Sequence, residues 1–261
     1  MDMITPLYGE RVLSLDTPQG RLIILTDLHI GIEYELSLSG VNIPSQAPHL
    51  FSSIDKICQT WKPDKILLLG DVKHIIPKAL NSPTEYMTAV SKERQEIHSF
   101  LARLNEYAPL EIIPGNHDGN LHHIISSRYP IHPTHGLLIK GSTETVGLAH
   151  GHAWPSMEVM TADYVVMGHT HPILRIRDPQ GYIHYKPCWV RASFLKKKIT
   201  NRYDEINSHL IVVPAFNPLC GGIAVNVDGL AGPLGKLVDM DTAIIYLLNG
   251  TNLGKVTDIQ D

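Results

Sequence analysis

The sequence predicts an α/β fold with a mixed sheet, on which a second and mainly antiparallel sheet packs. Three observations predict it: five short apolar runs, two segments of helical periodicity between the early runs, and short alternating runs after Pro172. Strands that alternate with helices form mixed sheets, and alternating runs broken by Gly, Pro and Asn are typical of antiparallel sheets. No repeat or linker divides the chain, so we expect one domain over residues 1–261, with 173–261 supplying mainly the second sheet.

The five apolar runs have the length of buried strands and are bounded by turn or polar residues. They are Leu22–Thr26, Ile66–Leu69, Leu110–Ile113, Thr145–Ala149 and Tyr164–Met167.

Two segments between the early strands have the period of amphipathic helices. The first ends at Pro63, and its apolar residues are Leu50, Ile54, Ile57, Cys58 and Trp61. The second follows Pro83 and ends before Pro109, with apolar residues at Met87, Val90, Ile97, Leu101 and Leu104. Its polar run at 92–96 is expected to face mostly away from the core.

The region after Pro172 predicts the strands of the second sheet, at Ile173–Arg177, Tyr182–Tyr185, Trp189–Phe194, Leu210–Val213 and Ala243–Leu248. Asn249-Gly250 predicts a tight hairpin turn. The basic run Lys196–Lys198 is expected at the exposed tip of a hairpin, with phosphate contact as the alternative.

Composition excludes several classes of protein. Hydrophobic residues make up 43% and charged residues 18%, which is ordinary for a globular chain. The net charge of −4 excludes a strongly basic surface for nucleic acid, although not a local basic patch. Three scattered cysteines without a CxxC pair argue against disulfides and thiolate zinc sites. With no leader and no apolar run near the ~18 residues of a membrane span, we expect a cytoplasmic protein that does not enter membranes.

Each buried strand leads directly into side chains that can bind metal ions. These are Asp27-Leu28-His29, Asp71, Asn116-His117-Asp118, His150-Gly151-His152 and His169-Thr170-His171. Because ligands bind at the carboxyl ends of strands in open α/β sheets, we expect these clusters to converge.

Carboxylates, imidazoles and an amide oxygen without thiolates suit Mn, Fe(II) or Zn. Their number exceeds one tetrahedral site and fits two ions about 3.5–4 Å apart that share a carboxylate. One histidine is then left over for acid chemistry.

The motifs at these strand ends resemble the signature of the calcineurin-like metallophosphoesterase superfamily, over residues 22–172. They are Asp27-x-His29, Gly70-Asp71-x-x-His74, Gly115-Asn116-His117-Asp118, His150 and Gly168-His169-x-His171. The resemblance implies a four-layer fold, a two-sheet β-sandwich flanked by helices. It also implies one metal ion on Asp27, His29, Asp71 and His171, and a second on Asp71, Asn116, His150 and His169.

The same resemblance assigns roles to residues that do not bind metal. His117 would contact the scissile phosphate and protonate the leaving oxygen. His74 is similar to a histidine of the nuclease subunit of the double-strand-break repair complex, where it helps to orient the catalytic histidine. Asp118 is expected to be the N-cap of a helix that starts near Gly119. Either His150 or His152 could be the ligand, and we favour His150 because it ends its strand.

Three further stretches resemble the prokaryotic ICC-like phosphoesterases, of which some bacterial relatives are linked to a DNA-repair ligase. They are 27–33, 70–74 and Pro214–Asn217 with Gly221-Gly222. Pro214–Pro218 is equally well explained as a turn after a strand.

We therefore expect a hydrolase of phosphate esters with two divalent ions, Mn being favoured over Fe or Zn. A diester is the favoured substrate, attacked in line by a metal-bridging hydroxide, because its poor leaving group benefits from a proton donor. The alternatives are a DNA or RNA nuclease linked to repair and a catalytically inactive metal-binding scaffold. The presence of His117 and of every ligand argues against the scaffold. The oligomeric state is not predicted.

Overall fold

The computed structural model describes residues 3–76, 83–125, 127–199, 202–203 and 206–259, without the side chains of residues 38, 83–86, 196 and 198. Its helices are α1 Ile32–Leu38, α2 Ala47–Trp61, α3 Pro83–Leu104, α4 Leu121–Ile124, α5 Met157–Met160, α6 Lys196–Ile199 and α7 Gly232–Gly235. The first strands are β1 Ile4–Pro6, β2 Leu13–Thr17, β3 Gly20–Leu25, β4 Lys65–Leu69 and β5 Leu110–Ile113. The later strands are β6 Leu137–Lys140, β7 Thr145–Leu148, β8 Tyr164–Met167, β9 Pro172–Arg177, β10 Ile183–Phe194, β11 His209–Val212, β12 Ile223–Ala224, β13 Val238–Leu247 and β14 Asn252–Lys255.

The first sheet has the order β1-β2-β3-β4-β5. β3, β4 and β5 are parallel, and β1 and β2 form an antiparallel edge beside β3. Helices α2 and α3 make the crossover connections that parallel neighbours require. The carboxyl ends of β3, β4 and β5 therefore lie side by side at one edge of the sheet.

The second sheet has the order β12-β9-β10-β11-β8-β7-β6, and β13 pairs with both β10 and β14. β7, β8 and β11 are parallel, whereas β10 is antiparallel to β9, β11 and β13. The second sheet thus begins at β6, earlier than the change of pattern after Pro172 suggested. The sequence pattern could not locate this boundary, because β7 and β8 are as buried as the strands of the first sheet.

Three hydrophobic cores hold the layers together. One lies between the first sheet and the helices, and includes Ile54 of α2 and Leu101 of α3. The second lies between the two sheets around Leu67 and Val166. The third covers the outer face of the second sheet around Val190 and Leu234. The expected α/β sandwich flanked by helices is confirmed.

Helix α2 agrees closely with the prediction, but the runs Tyr182–Tyr185 and Trp189–Phe194, predicted as two strands, form the single strand β10. The Asn249-Gly250 turn joins the antiparallel strands β13 and β14, as expected. The basic run does not form a hairpin tip, because residues 196–199 form the short helix α6. The side chains of Lys196 and Lys198 lie outside the described residues. In the described part of the chain, no helix is both long and apolar enough to cross a membrane.

Helix α3 turns a carboxylate inward, which the periodicity did not predict. Glu93 is 1% exposed, whereas Met87, expected in the apolar stripe, is 65% exposed. The Oε1 atom of Glu93 accepts hydrogen bonds from the backbone N–H groups of His74 at 2.9 Å and Ile75 at 2.6 Å. The polar run 92–96 faces away as expected at Lys92, but the prediction is wrong at Glu93, where two loop amides need an acceptor.

Burial raises the pKa of Glu93 from its ordinary 4.5 to about 7. The folded protein therefore holds this proton more tightly than the unfolded chain does. The contribution of Glu93 to the free energy of unfolding is fully present below pH 4.5 and is lost as the pH rises through 7. Relative to Glu93→Gln, which keeps the Oε1 acceptor, we expect wild type to lose roughly 3 kcal/mol over that range.

Urea unfolding at a series of pH values measures this difference. Glu106→Gln, at an exposed position, is the matched control. A difference between wild type and Glu93→Gln that stays constant with pH would contradict the prediction.

Candidate metal centre

The candidate site lies where the ends of five strands meet. β3 leads to Asp27 and His29, β4 to Asp71, and β5 to His117, all from the first sheet. β7 leads to His150, and β8 leads to His169 and His171, from the second sheet. The backbone N–H of His169 donates to both carboxylate oxygens of Asp27, at 3.2 and 3.3 Å, and so connects the sheets directly.

The loops after β3 and β4 continue the pairing of their strands. The N–H of Asp27 donates to the carbonyl of Gly70 at 3.1 Å, and the N–H of His29 donates to the carbonyl of Asp71 at 2.8 Å. Ile30 and Lys73 then form a parallel bridge. The two ligand-bearing loops are thus fixed to each other by backbone hydrogen bonds.

Five site residues have left-handed backbone conformations, with φ between 41° and 64°. They are Asp27, His29, Asp71, His169 and His171. Such a conformation costs about 1–3 kcal/mol for a residue with a side chain and persists only where the surroundings impose it. The alternating pattern in Asp27-x-His29 and His169-x-His171 turns both side chains of each pair towards the same crevice.

Glycines before three of the site residues make room for side chains from neighbouring strands. A Cβ atom at Gly70 would overlap the ring of His150, and one at Gly115 would overlap the carboxylate of Asp71. At Gly168 it would lie 2.6 Å from an oxygen of Asp27. The Gly-Asp, Gly-Asn and Gly-His motifs therefore need glycine, because any side chain at these positions would overlap a neighbouring site residue.

The side chains form two groups of donor atoms that share one carboxylate. Within each group the donor atoms lie within 4.8 Å of one another. The first group is Asp27, His29, Asp71 and His171, and the second is Asp71, His150 and His169. Asp71 belongs to both, as a bridging ligand would.

The hydrogen bonds of two imidazoles leave one nitrogen of each for a metal ion. His150 donates from Nδ1 to the carbonyl of Leu69 at 3.0 Å, and His171 donates from Nδ1 to the carbonyl of Gly221 at 2.8 Å. Their Nε2 atoms lie 3.3 Å from Asp71 and 3.1 Å from Asp27, respectively. Among the described residues, the buried Nε2 of His150 makes no well-aligned hydrogen bond. Metal-binding histidines have this arrangement, with the second nitrogen held by a carbonyl. The residues present therefore fit a metal centre.

A carboxylate on α1 fixes a chain of two imidazoles. Glu35 accepts from Nε2 of His74 at 2.7 Å, so Nδ1 of neutral His74 is left as an acceptor. Nδ1 of His29 lies 3.0 Å from that atom and must therefore carry the proton. Nε2 of His29 is then free to face the crevice.

His117 is oriented by a backbone carbonyl. Its Nδ1 donates to the carbonyl oxygen of His74 at 2.6 Å, and its ring stacks on that of His74 with centroids 5.2 Å apart. The N–H of His117 donates to Asp71 at 2.8 Å. With His29 and His74, His117 forms a further group of imidazole nitrogens that lie within 4.8 Å of one another. The side chain of His74 contacts His29, while its backbone orients His117.

The buried carboxylates and burial itself shift the pKa values of three imidazoles in opposite directions. Although burial opposes it, the carboxylate of Asp71, 3.3 Å from Nε2, and the charge of Asp27 raise the pKa of His150 to about 9. Burial lowers the pKa of His29 to about 3, and burial with the charge of His150 lowers that of His169 to about 4. A proton on His150 thus balances part of the carboxylate charge, and a metal ion that bound there would displace it.

Asp118 is not the helix N-cap that the sequence predicted. Helix α4 begins at Leu121 with Asn120 as its N-cap. The carboxylate of Asp118 is 3% exposed and accepts from the amides of Val72, Lys73 and Gly115, at 2.8–3.3 Å. It joins the loops after β4 and β5, which an argument from local sequence could not foresee.

The segment Pro214–Asn217 shapes the site rather than forming a simple turn. Phe216 N–H donates to the carbonyl of Thr26 at 2.9 Å, and the side-chain amide of Asn217 donates to the carbonyl of Leu28 at 2.9 Å. This attachment to the end of β3 places Gly221 against His171. It also brings the thiol of Cys220 into a group with His29 and His171, where burial raises its pKa well above 9.

Two candidate ligands need separate treatment, since His152 is not in either group that contains Asp71 and Asn116 offers an amide oxygen rather than an imidazole or a carboxylate. The ring of His152 is 5.2 Å from that of His150 but is not part of either group, which favours His150 as the ligand. Asn116 is exposed between Gly115 and His117, and its role stays a prediction.

Glu35 and Glu93 were missed by the sequence analysis, because their contacts with His74 are distant in sequence and follow no motif.

Comparisons with known proteins agree with the fold. A family model described as calcineurin-like phosphoesterase matches residues 20–172, which include the strands β3 to β8. No curated protein matches the sequence.

Among solved structures, the chain is similar to the nuclease MPE of Pseudomonas putida, with 16% identity, 96% of this chain and 100% of that chain covered, and a TM-score of 0.49. It is also similar to the phosphoesterase Yfce of E. coli, with 15% identity, 92% and 99% coverage, and a TM-score of 0.41. A predicted phosphoesterase of Streptococcus pneumoniae has 11% identity, 88% and 91% coverage, and a TM-score of 0.32.

The shared position of Asp71 predicts a large effect of Asp71→Asn on metal binding. The amide removes the negative charge that both donor groups share, so we expect metal content to fall at both. Plasma mass spectrometry after loading with Mn²⁺ and gel filtration measures it. Two full equivalents in the variant would exclude a bridging role.

Asp118→Asn is expected to affect stability more than metal binding. One oxygen becomes an NH₂ group that faces backbone donors, which we expect to cost about 1–3 kcal/mol of the free energy of unfolding. Urea unfolding measures the loss, and Asp241→Asn, at an exposed carboxylate, is the control. Unchanged stability of Asp118→Asn would mean that the three amide contacts do not stabilise the loops.

Proposed function

Because the chain belongs to the calcineurin-like phosphoesterase family, we propose that it hydrolyses phosphodiesters with the help of two divalent metal ions, Mn²⁺ being the favoured metal. The observation that carries the proposal is the carboxylate of Asp71, which belongs to two donor groups at once. A shared carboxylate between two sets of oxygen and nitrogen donors suits a pair of ions that clamp a phosphate.

Each of the two donor groups would hold one ion. Asp27, His29, Asp71 and His171 would hold one, and Asp71, His150 and His169, with Asn116, the other. When bound, the ions would supply positive charge to the phosphate oxygens and lower the pKa of a water molecule. The carbonyls of Leu69 and Gly221 keep His150 and His171 oriented towards the ions.

His117 would act as the proton donor. Its Nδ1 is committed to the carbonyl of His74, so only Nε2 can exchange a proton with a substrate. The backbone N–H of His117 donates to Asp71 at 2.8 Å, which fixes the backbone that carries the ring. A protonated Nε2 can give its proton to the leaving oxygen, which matters most for a diester with a poor leaving group.

Hydrolysis of bis-p-nitrophenyl phosphate, a diester, and p-nitrophenyl phosphate, a monoester, tests this function. We expect a chelator to abolish diester hydrolysis and Mn²⁺ to restore it, with the monoester cleaved more slowly. Absence of diester hydrolysis in the Mn²⁺-loaded protein would overturn the proposal and favour a scaffold.

His117→Ala tests the proton donor. We expect the variant to keep its metal ions, because neither donor group that contains Asp71 loses a member, while kcat for an alkyl ester falls by roughly 10²–10⁴-fold. A diester that leaves as a nitrophenolate should lose much less, since a phenolate of low pKa needs little protonation.

Metal content and both rates are measured on the same preparation. His98→Ala, an exposed histidine on α3, is the control and should match wild type. Loss of metal with equal loss on both esters would identify His117 as a ligand instead, and an unchanged rate on the alkyl ester would exclude both roles.

A further inference from the structure

The hairpin formed by β9 and the first half of β10 extends past the end of the sandwich. β10 pairs with β11 only from Val190 to Ser193, whereas residues 183–187 pair with β9 alone. β11 runs towards the metal centre, and the segment after it contacts Thr26 and Asp27. Because β10 is antiparallel to β11, its unpaired first half projects on the side of the metal centre. Five strand residues span about 16 Å.

One face of this hairpin continues the side of the second sheet that packs on the first sheet. Side chains alternate along a strand, so Tyr185 lies on the same face of β10 as Trp189, which packs between the two sheets. Partners across the strands also share a face, which adds Arg175 opposite Tyr185 and Arg177 opposite Ile183. The other face carries Leu174, which packs in the core behind the second sheet. We name Arg175, Arg177, Ile183 and Tyr185 the hairpin face.

The hairpin face begins at the metal centre itself. β9 starts at Pro172, directly after His171. Ile173, two residues before Arg175 and on the same side of β9, lies against Gly222, next to the carbonyl of Gly221 that holds His171. A chain-like substrate with a phosphate at the metal centre could therefore continue along the hairpin face without a gap.

The hairpin is locally basic and aromatic in a chain that is acidic overall. Residues 172–187 carry three cationic side chains and one carboxylate, Asp178, which is bonded to the ring of His184 at 3.0 Å. Tyr185 is 57% exposed, and Arg177 is exposed with one of its donors on the carbonyl of Gly181. A polyanion is therefore attracted towards the hairpin.

We propose that the hairpin face binds a single-stranded nucleic acid whose scissile phosphodiester lies at the metal centre. Tyr185 would stack on a base, and Arg177 and Arg175, two strand residues or about 7 Å apart, would contact neighbouring phosphates. A single strand is required because paired bases offer no free face to Tyr185. This inference rests on the proposed phosphodiesterase function and names its substrate class.

Substitutions on the hairpin face test the inference. Arg177→Glu and Tyr185→Ala should each weaken binding of a fluorescein-labelled single-stranded oligothymidylate by about 10-fold or more in fluorescence anisotropy, with Ca²⁺ in place of Mn²⁺. Arg177→Glu should also reduce the slope of log affinity against log salt by about one. Hydrolysis of bis-p-nitrophenyl phosphate should stay within about 2-fold of wild type, because this ester is too small to reach the hairpin.

Lys186→Glu is the matched control. It makes the same change of charge on the same hairpin, but Lys186 lies opposite Leu174 and therefore on the other face. We expect less than about 3-fold loss of oligonucleotide binding, since only the general field changes.

Each outcome decides the inference separately from the proposed function. Diester hydrolysis with no oligonucleotide binding, or with binding that all three variants change equally, overturns the inference and leaves the function standing. Parallel loss of diester hydrolysis in Arg177→Glu and Tyr185→Ala also overturns it, because the hairpin would then act on the fold of the centre. If wild type hydrolyses no diester, the proposed function fails, and the anisotropy measurements alone decide whether the hairpin face binds a single strand.

Discussion

The burial of two carboxylates side by side is the constraint on which this structure depends. Asp27 is fully buried and Asp71 nearly so, and both belong to one group of donor atoms. Such a pair is stable only with compensating positive charge and hydrogen bonds. The backbone amide of His169 donates a hydrogen bond to Asp27. The imidazoles of His150 and His171 lie against Asp71 and Asp27 and supply the positive charge. Burial lowers the pKa of His29, so this third ring stays neutral.

The local peculiarities of the site follow from this packing. Donor atoms from five strand ends reach one small volume only if the backbone turns abruptly after each strand, which explains the positive φ angles of Asp27, Asp71 and His171. They also need neighbours without side chains, which explains the glycines at 70, 115 and 168. Because strained residues persist only where the surroundings impose them, the hydrogen bonds between the loops after β3 and β4 are part of the same arrangement.

Most of the fold and the members of the donor groups could be predicted, because apolar runs define buried strands and parallel strand ends must meet. What escaped prediction depends on contacts between distant residues. No periodic pattern in the sequence shows that β7 belongs to the second sheet. The same is true of the inward-facing side chain of Glu93 and of the hydrogen bonds by which Asp118 joins two loops. Glu35 could not be predicted for the same reason. It fixes the proton of His74 on Nε2, but the two residues are 39 positions apart and no spacing rule connects them.

The two donor groups draw on both sheets, since Asp27, His29 and Asp71 come from the first and His150, His169 and His171 from the second. Inside the sandwich, by contrast, the sheets meet through apolar side chains such as Leu67 and Val166. Ions bound at this end would therefore connect the two sheets by coordination bonds, in addition to the hydrogen bonds between His169 and Asp27. By mass action, resistance to heat would rise with the concentration of free metal. The stability of the folded protein, as well as its activity, would then depend on the supply of metal.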